Sequence, residues 1–272
     1  MNEGKGFRQM RLVVGLVLFI AVVFILPALA TAGWWSLQDR PATWRTADWT
    51  GTGLLKPASA DPEAAIYVMG ARTGGLKGAF SLHCWIVIKR PDATEYERYD
   101  KVGWGSPIRK NAYPADGRWY SNAPEIIREV HGAAAEAILP AIDAAIADYH
   151  YSKAGDYHIW PGPNSNSFVA HVVRSVPQLG ARMPPNAIGR DYAPGLAAFV
   201  RVGDGPDFNV TLGGLVGLSA GVASGFEFQF LGLVAGVDFT HPALLIPAYG
   251  RVELRGRDES RLAVSTPSSL VE

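Results

Sequence analysis

The chain has 272 residues, 48% of them hydrophobic, and its 25 basic and 25 acidic residues give a formal net charge of zero. Charges of both signs are interspersed, so there is no basic stripe of the kind a nucleic acid would need, and nucleic-acid binding is excluded as a function class. A single cysteine, Cys84, rules out an internal disulfide framework and a cysteine-rich zinc site.

Lys5, Arg8 and Arg11 precede an uncharged, strongly apolar run from Leu12 to Leu37. Such a run covers a hydrocarbon core of roughly 30 Å. The basic flank predicts a bacterial inner-membrane anchor with its N-terminus in the cytoplasm and the main domain in the periplasm, and Trp34 and Trp35 then fall at the far interface. A cleaved signal peptide is the competing reading, because Ala28-Leu29-Ala30 and Ala30-Thr31-Ala32 both fit a small-x-small cleavage pattern. The length of the run favours the uncleaved anchor over residues 1–37.

Residues 38–61 are rich in Thr, Ala, Pro and Asp and read as a tether. An α+β domain is expected over residues 62–254. Its first strand is predicted over 65–70, a second over 81–89, and a hairpin partner over 95–104 across the turn Arg90-Pro91-Asp92. Pro124 followed by Ile126, Ile127 and Val130 predicts a helix that stops at Gly132. Ala133 to Tyr149 predicts a second helix interrupted at Pro140. Phe168, Val169, Val172, Val173 and Val176 recur at helical spacing and predict a third, ending at Pro177. Residues 179–195 read as irregular, and the rest to Leu254 as strands and loops. Thr211 to Phe239 is apolar enough to suggest another membrane helix. Glu227, Asp238 and the alternation from Phe226 to Phe230 instead predict glycine-rich strands. Residues 255–272 form a polar tail.

The segment most suggestive of chemistry is WPGPNSNSF, Trp160 to Phe168, which packs two prolines, a glycine and small polar residues against the start of the third helix. The amides of a helix's first turn lack partners within the helix and favour an anion or a developing oxyanion. A serine here is either an ordinary cap or a reactive group. Upstream, His83 lies on the second predicted strand, and alternation sets it on the face opposite Cys84. If His83 faces the helix, Cys84 points away and reads as a small buried residue. The other histidines, His131, His150, His158, His171 and His241, show no HxxxH or HxH spacing, and the glycines near Gly213 lack the Lys-Ser/Thr of a phosphate loop. No metal and no cofactor is therefore expected. Trp104, Trp119, Tyr120, Tyr149, Tyr151, Tyr157 and Trp160 would suit a groove for a sugar, peptide or lipid chain, or serve as packing.

The words HCWIVIK, WPGPNSNSFVAHVVRSVPQL, PPNAIGRDY and LGLVAGVDFTHPALLIPAYGR together resemble the bacterial family of unknown function numbered 3750. More distantly, the order of a strand histidine followed by Asn164-Ser165-Asn166-Ser167-Phe168 resembles circularly permuted papain-like proteins of the NlpC and lecithin:retinol acyltransferase type, with serine where those have the nucleophilic cysteine. That resemblance implies His83 as general base and Ser165 in the nucleophile position. Backbone amides, with Asn164 or Asn166, would hold the oxyanion. The third, orienting group is open among Glu95, Tyr96, Glu97, Arg98 and Tyr99. The resulting expectation is a membrane-anchored hydrolase or acyltransferase acting on peptide, glycan or lipid of the cell envelope. The alternatives are a catalytically inactive papain-like binding module and a structural component of an envelope assembly.

Overall fold

The computed structural model describes residues 3–202, 206–222 and 225–254; the tail read over 255–272 lies outside the described residues. The apolar N-terminal run is one continuous rod: α1 (Glu3–Ile20), a π turn (Ala21–Ile25) and α2 (Leu26–Ser36). The span Lys5–Ser36 is long and apolar enough to cross a membrane, and most of its side chains are exposed.

Beyond it the chain is α+β, with two antiparallel sheets. The first has the order β4-β3-β2-β1-β5 and is built from β1 (Ala65–Arg72), β2 (Leu82–Lys89), β3 (Glu97–Lys101), β4 (Ile108–Lys110) and β5 (Glu125–His131). AIYVMGA in β1 and LHCWIVIK in β2 are almost continuously apolar, and both strands are buried on both faces. One face, with Ile66, Val68, Cys84 and Ile86, packs under α3 (Gly132–Ala147) and α4 (Ser165–Ser175), where Leu139, Ile142, Phe168 and Val172 complete the core. The other face, with Tyr67, Met69, Trp85 and Val87, is covered by Trp119 and its aromatic neighbours. Fully burying a side chain such as Phe168 stabilises the fold by about 1.5–3 kcal/mol.

The segment after Pro124, expected as a helix, is β5. A register shift between Val68 and Met69 leaves Ile127 as an extra residue between the pairs Met69 with Ile126 and Val68 with Arg128. That bulge breaks the period-two pattern, so Ile126, Ile127 and Val130 imitate helical spacing while lying on a β-branched edge strand. The alanine-rich helix forms as expected and contains Pro140.

The glycine-rich C-terminal region forms the second sheet, a seven-stranded meander in the order β12-β11-β10-β9-β8-β7-β6. Its strands are β6 (Leu196–Val202), β7 (Pro206–Leu212), β8 (Val216–Gly221), β9 (Gly225–Phe230), β10 (Leu233–Asp238), β11 (Ala243–Ile246) and β12 (Gly250–Glu253). It is tied to the first sheet by Arg72, whose guanidinium donates to the Tyr249 carbonyl at 2.8 Å. Asn186 adds a bond to the same carbonyl at 3.3 Å.

Candidate active site

The start of α4 is fixed by its own sequence. Asn164 is the N-cap, its Oδ1 accepting the amides of Asn166 at 2.9 Å and Ser167 at 3.1 Å, while Ser167 Oγ accepts the Asn164 amide at 3.2 Å. Ser165 is therefore not the cap. It is the first helical residue, and its amide is the one in this turn that no described residue accepts, since Phe168 donates to the Asn164 carbonyl.

The two asparagines are framework groups. Asn164 Nδ2 donates to the carbonyls of Ile159 at 3.1 Å and Ile188 at 3.0 Å. Asn166 Nδ2 donates to Leu82 at 3.0 Å and Ile188 at 2.8 Å, and its Oδ1 accepts the Cys84 amide at 3.2 Å. With these donors occupied, neither asparagine side chain has its amide group free to hold a ligand.

His83 and Cys84 take opposite faces of β2, as alternation requires, but the faces are exchanged relative to expectation. Cys84 lies beneath α4, where burial pushes its thiol up and keeps it protonated. His83 faces the aromatic side, its ring stacked on Trp119 at 3.6 Å with 4° between planes. Its Nε2 donates to Asp100 Oδ1 at 2.9 Å. Asp100 is gripped from its other side by Arg98, whose Nε reaches Oδ2 at 2.8 Å and whose Nη2 reaches Oδ1 at 2.9 Å. Arg98 in turn lies over the Trp85 ring at 3.9 Å.

Asp100 is thus the acid that bonds His83, one residue beyond the group considered from sequence. The β2–β3 register pairs Ile86 with Tyr99 and Val87 with Arg98, which puts Asp100 opposite Trp85 and diagonal to His83 on the same face. The RYD spacing of Arg98 and Asp100, two apart on a strand, was the available signal for a buried ion pair.

The electrostatics favour a neutral imidazole. Burial pushes the His83 imidazole down by more than the bond and charge of Asp100 push it up, with Arg98 adding to the lowering. Burial pushes the Asp100 carboxyl up, but Arg98 and the hydrogen bond from His83 outweigh it and hold it below the usual carboxylate range. An ionised Asp100 accepting from Nε2 assigns the proton to that nitrogen and leaves Nδ1 with the free lone pair.

Ser165 and His83 line one cavity of about 320 Å³ at the start of β2, together with Phe80, Tyr157, Trp160 and Leu231. No hydrogen bond joins the two among the described residues. The Ser165 hydroxyl instead acts on Tyr157, whose phenol is pushed up to about 12 by burial, with the Ser165 hydrogen bond working against the rise. Of the other aromatics singled out from sequence, Trp119 stacks on His83 and Trp160 lines the cavity, while Tyr149 is core. The end of α2 also reaches this region: Trp35 Nε1 donates to the Gly75 carbonyl at 2.9 Å, in the single-turn segment Gly75–Ala79 whose Lys77 lines the cavity.

Fold and site together define an α+β domain in which a strand histidine, paired with an acid on the next strand, shares a cavity with the first residue of a buried helix. Residues 63–192 match the sequence model of the family described as protein of unknown function, DUF3750, so this domain is similar to that family. The matched segment contains His83, Asp100 and Ser165. No curated protein and no solved structure matches the chain.

Proposed function

We propose that this protein is a membrane-anchored, periplasm-facing serine hydrolase or acyltransferase with a permuted papain-like arrangement, acting on acyl esters of envelope lipid. The observation that carries the reading is the shared cavity of His83 and Ser165, with His83 held by Asp100 through Nε2. Ser165 Oγ attacks the ester carbonyl carbon and His83 Nδ1 takes its proton, directly or through one water. The Ser165 amide holds the oxyanion. Collapse of the tetrahedral species breaks the ester C–O bond, and the departing alkoxide takes the proton from His83. Water or a second alcohol then releases the acyl group by the reverse sequence. An acyl chain suits the apolar wall of Phe80, Leu82, Ile159, Ile188 and Leu233, and the docked end of α2 brings that wall to the place where the chain leaves the membrane.

The test is hydrolysis of p-nitrophenyl esters of increasing chain length and of vesicle phospholipid by the purified full chain. Ser165→Ala is expected to lower turnover by roughly 1,000-fold or more, and Ser165→Cys to retain part of it. Ester turnover that Ser165→Ala leaves unchanged would overturn the assignment. A second reading, an inactive binding module, is favoured by one observation, that Ser165 sits beside Tyr157 and not in a bond to His83. It predicts ligand retention by Ser165→Ala with no turnover in either protein.

A further inference from the structure

Three neighbouring strands of the seven-stranded sheet, β7, β8 and β9, are turned inside out relative to strands that face water. Along β7, Asp207 and Thr211 are buried while Phe208, Val210 and Leu212, on the other face, are exposed; along β8, Ser219 is buried and Val216 and Leu218 are exposed. In β9, Gln229 is buried and Phe226 is exposed. The polar side closes over the interior, where Arg190 pairs with Asp191 and Glu227, and Arg182 and Arg251 pair with Asp238. Polar-in, apolar-out alternation is the pattern of strands whose outer face meets lipid, and a contiguous apolar patch of this kind marks an interaction surface.

The identity of the partner follows from what already touches that face. Phe24, in the π turn, packs on Phe228 and Phe230 with ring centroids 5.6 and 5.7 Å away, and Phe19 approaches Phe228 at 6.2 Å. Phe24 lies on the order of 16 Å along the rod from Trp35, the residue bonded to the domain. The sheet therefore runs beside the middle of the one span among the described residues that is long and apolar enough to cross a membrane. β7, β8 and β9 are inner strands with a partner on each side, so their backbone presents no unpaired ladder to lipid. The open edges of the sheet, β6 and β12, limit the contact to a face.

We propose that the outer face of β7, β8 and β9 lies against the acyl chains of the same bilayer that receives the N-terminal helix. The domain then sits sunk into the membrane surface, with the sheet and helix forming one apolar contact. This does not depend on the catalytic reading, and its test makes no use of turnover.

Variants of the full chain with one added cysteine, Val210→Cys and Leu218→Cys, replace exposed side chains, and the native Cys84 is buried away from the label. Lys153→Cys serves as the water-facing control and Val17→Cys as the helix reference. Each is labelled with bimane and reconstituted into phosphatidylcholine–phosphatidylglycerol vesicles with or without bromine on the acyl chains. Bromolipid is expected to quench positions 210 and 218 at least half as strongly as position 17, and to leave position 153 unquenched. Quenching at 210 and 218 no greater than at 153 overturns the proposal. Rapid labelling by a membrane-impermeant maleimide would then identify the face as open to water, and slow labelling with cross-linking between copies would identify it as a protein interface.

Discussion

At the scale of single residues, the site rests on three buried groups, His83, Asp100 and Arg98, each of which constrains the next. Removing the acid strands a buried guanidinium, so Asp100→Ala is expected to destabilise the fold by about 3–5 kcal/mol, read as a lowered midpoint in denaturant; a change within 0.5 kcal/mol, roughly the scale of a surface substitution, would contradict the clamp. The pH dependence follows from two lowered values. His83 lies below its ordinary 6.5 in the fold and Asp100 below 3.8. At each site the unfolded chain binds the proton first as pH falls, so stability is full above pH 6.5 and declines as pH drops through that value. A second decline begins below 3.8. His171, lowered chiefly by burial, acts in the same direction. Thermal unfolding should therefore occur at a lower temperature at pH 5.5 than at 7.5, and His83→Gln should remove part of the difference. In turnover, the same lowered base predicts an acid limb below pH 6.5; a limb above it would show that another group titrates.

At the scale of elements, α4 is held to β2 by Asn166 and capped by Asn164. Asn166→Ala takes the Asn166 Oδ1 acceptor from the buried Cys84 amide, at roughly 1–3 kcal/mol for a stranded buried group, while the Leu82 carbonyl keeps the Ser81 hydroxyl at 3.1 Å. Gly189, at φ +98°, permits a close approach: a Cβ there would stand 2.3 Å from Asn164 Nδ2. Gly189→Ala is thus expected to displace the cap and lower stability by at least the roughly 0.5–2 kcal/mol of a lost N-cap, and an unchanged melting temperature would refute that dependence. The elements with strong local signals were legible in sequence. The helix after WPGPNSNSF, β1, β2, the helix containing Pro140 and the strand character of the glycine-rich region all appear close to where periodicity puts them. β5 was misread because its bulge at Ile127 disguises a strand. Asp100 was passed over because choosing it requires the β2–β3 register, which no local pattern encodes. The face taken by His83 was equally nonlocal, being set by the bonds of Asn166 to the backbone of Leu82 and Cys84.

At the scale of the whole molecule, the N-terminal rod is packed on the domain as well as tethered to it. Trp35 is 3% exposed, and a Cβ on Gly78 would come within 2.4 Å of its ring. Trp35→Ala is expected to reduce hydrolysis of vesicle phospholipid by about tenfold, equivalent to roughly 1.4 kcal/mol, while sparing short soluble esters. Equal loss on both would place Trp35 in general stability and not in access to the membrane. The inverted sheet and the docked rod give one apolar side to the protein, and the cavity with Ser165 lies near their junction through Leu231 and Lys77.

Activation of Ser165 as a nucleophile by His83, as proposed, should show in the reactivity of the side chain itself. The most direct measurement is the site of covalent modification when the full chain is treated with a long-chain fluorophosphonate and its peptides are read by mass spectrometry. A single adduct is expected on Ser165, absent from Ser165→Ala and strongly slowed in His83→Gln. A protein that remains unmodified at Ser165, or that is modified there equally fast without His83, would contradict it.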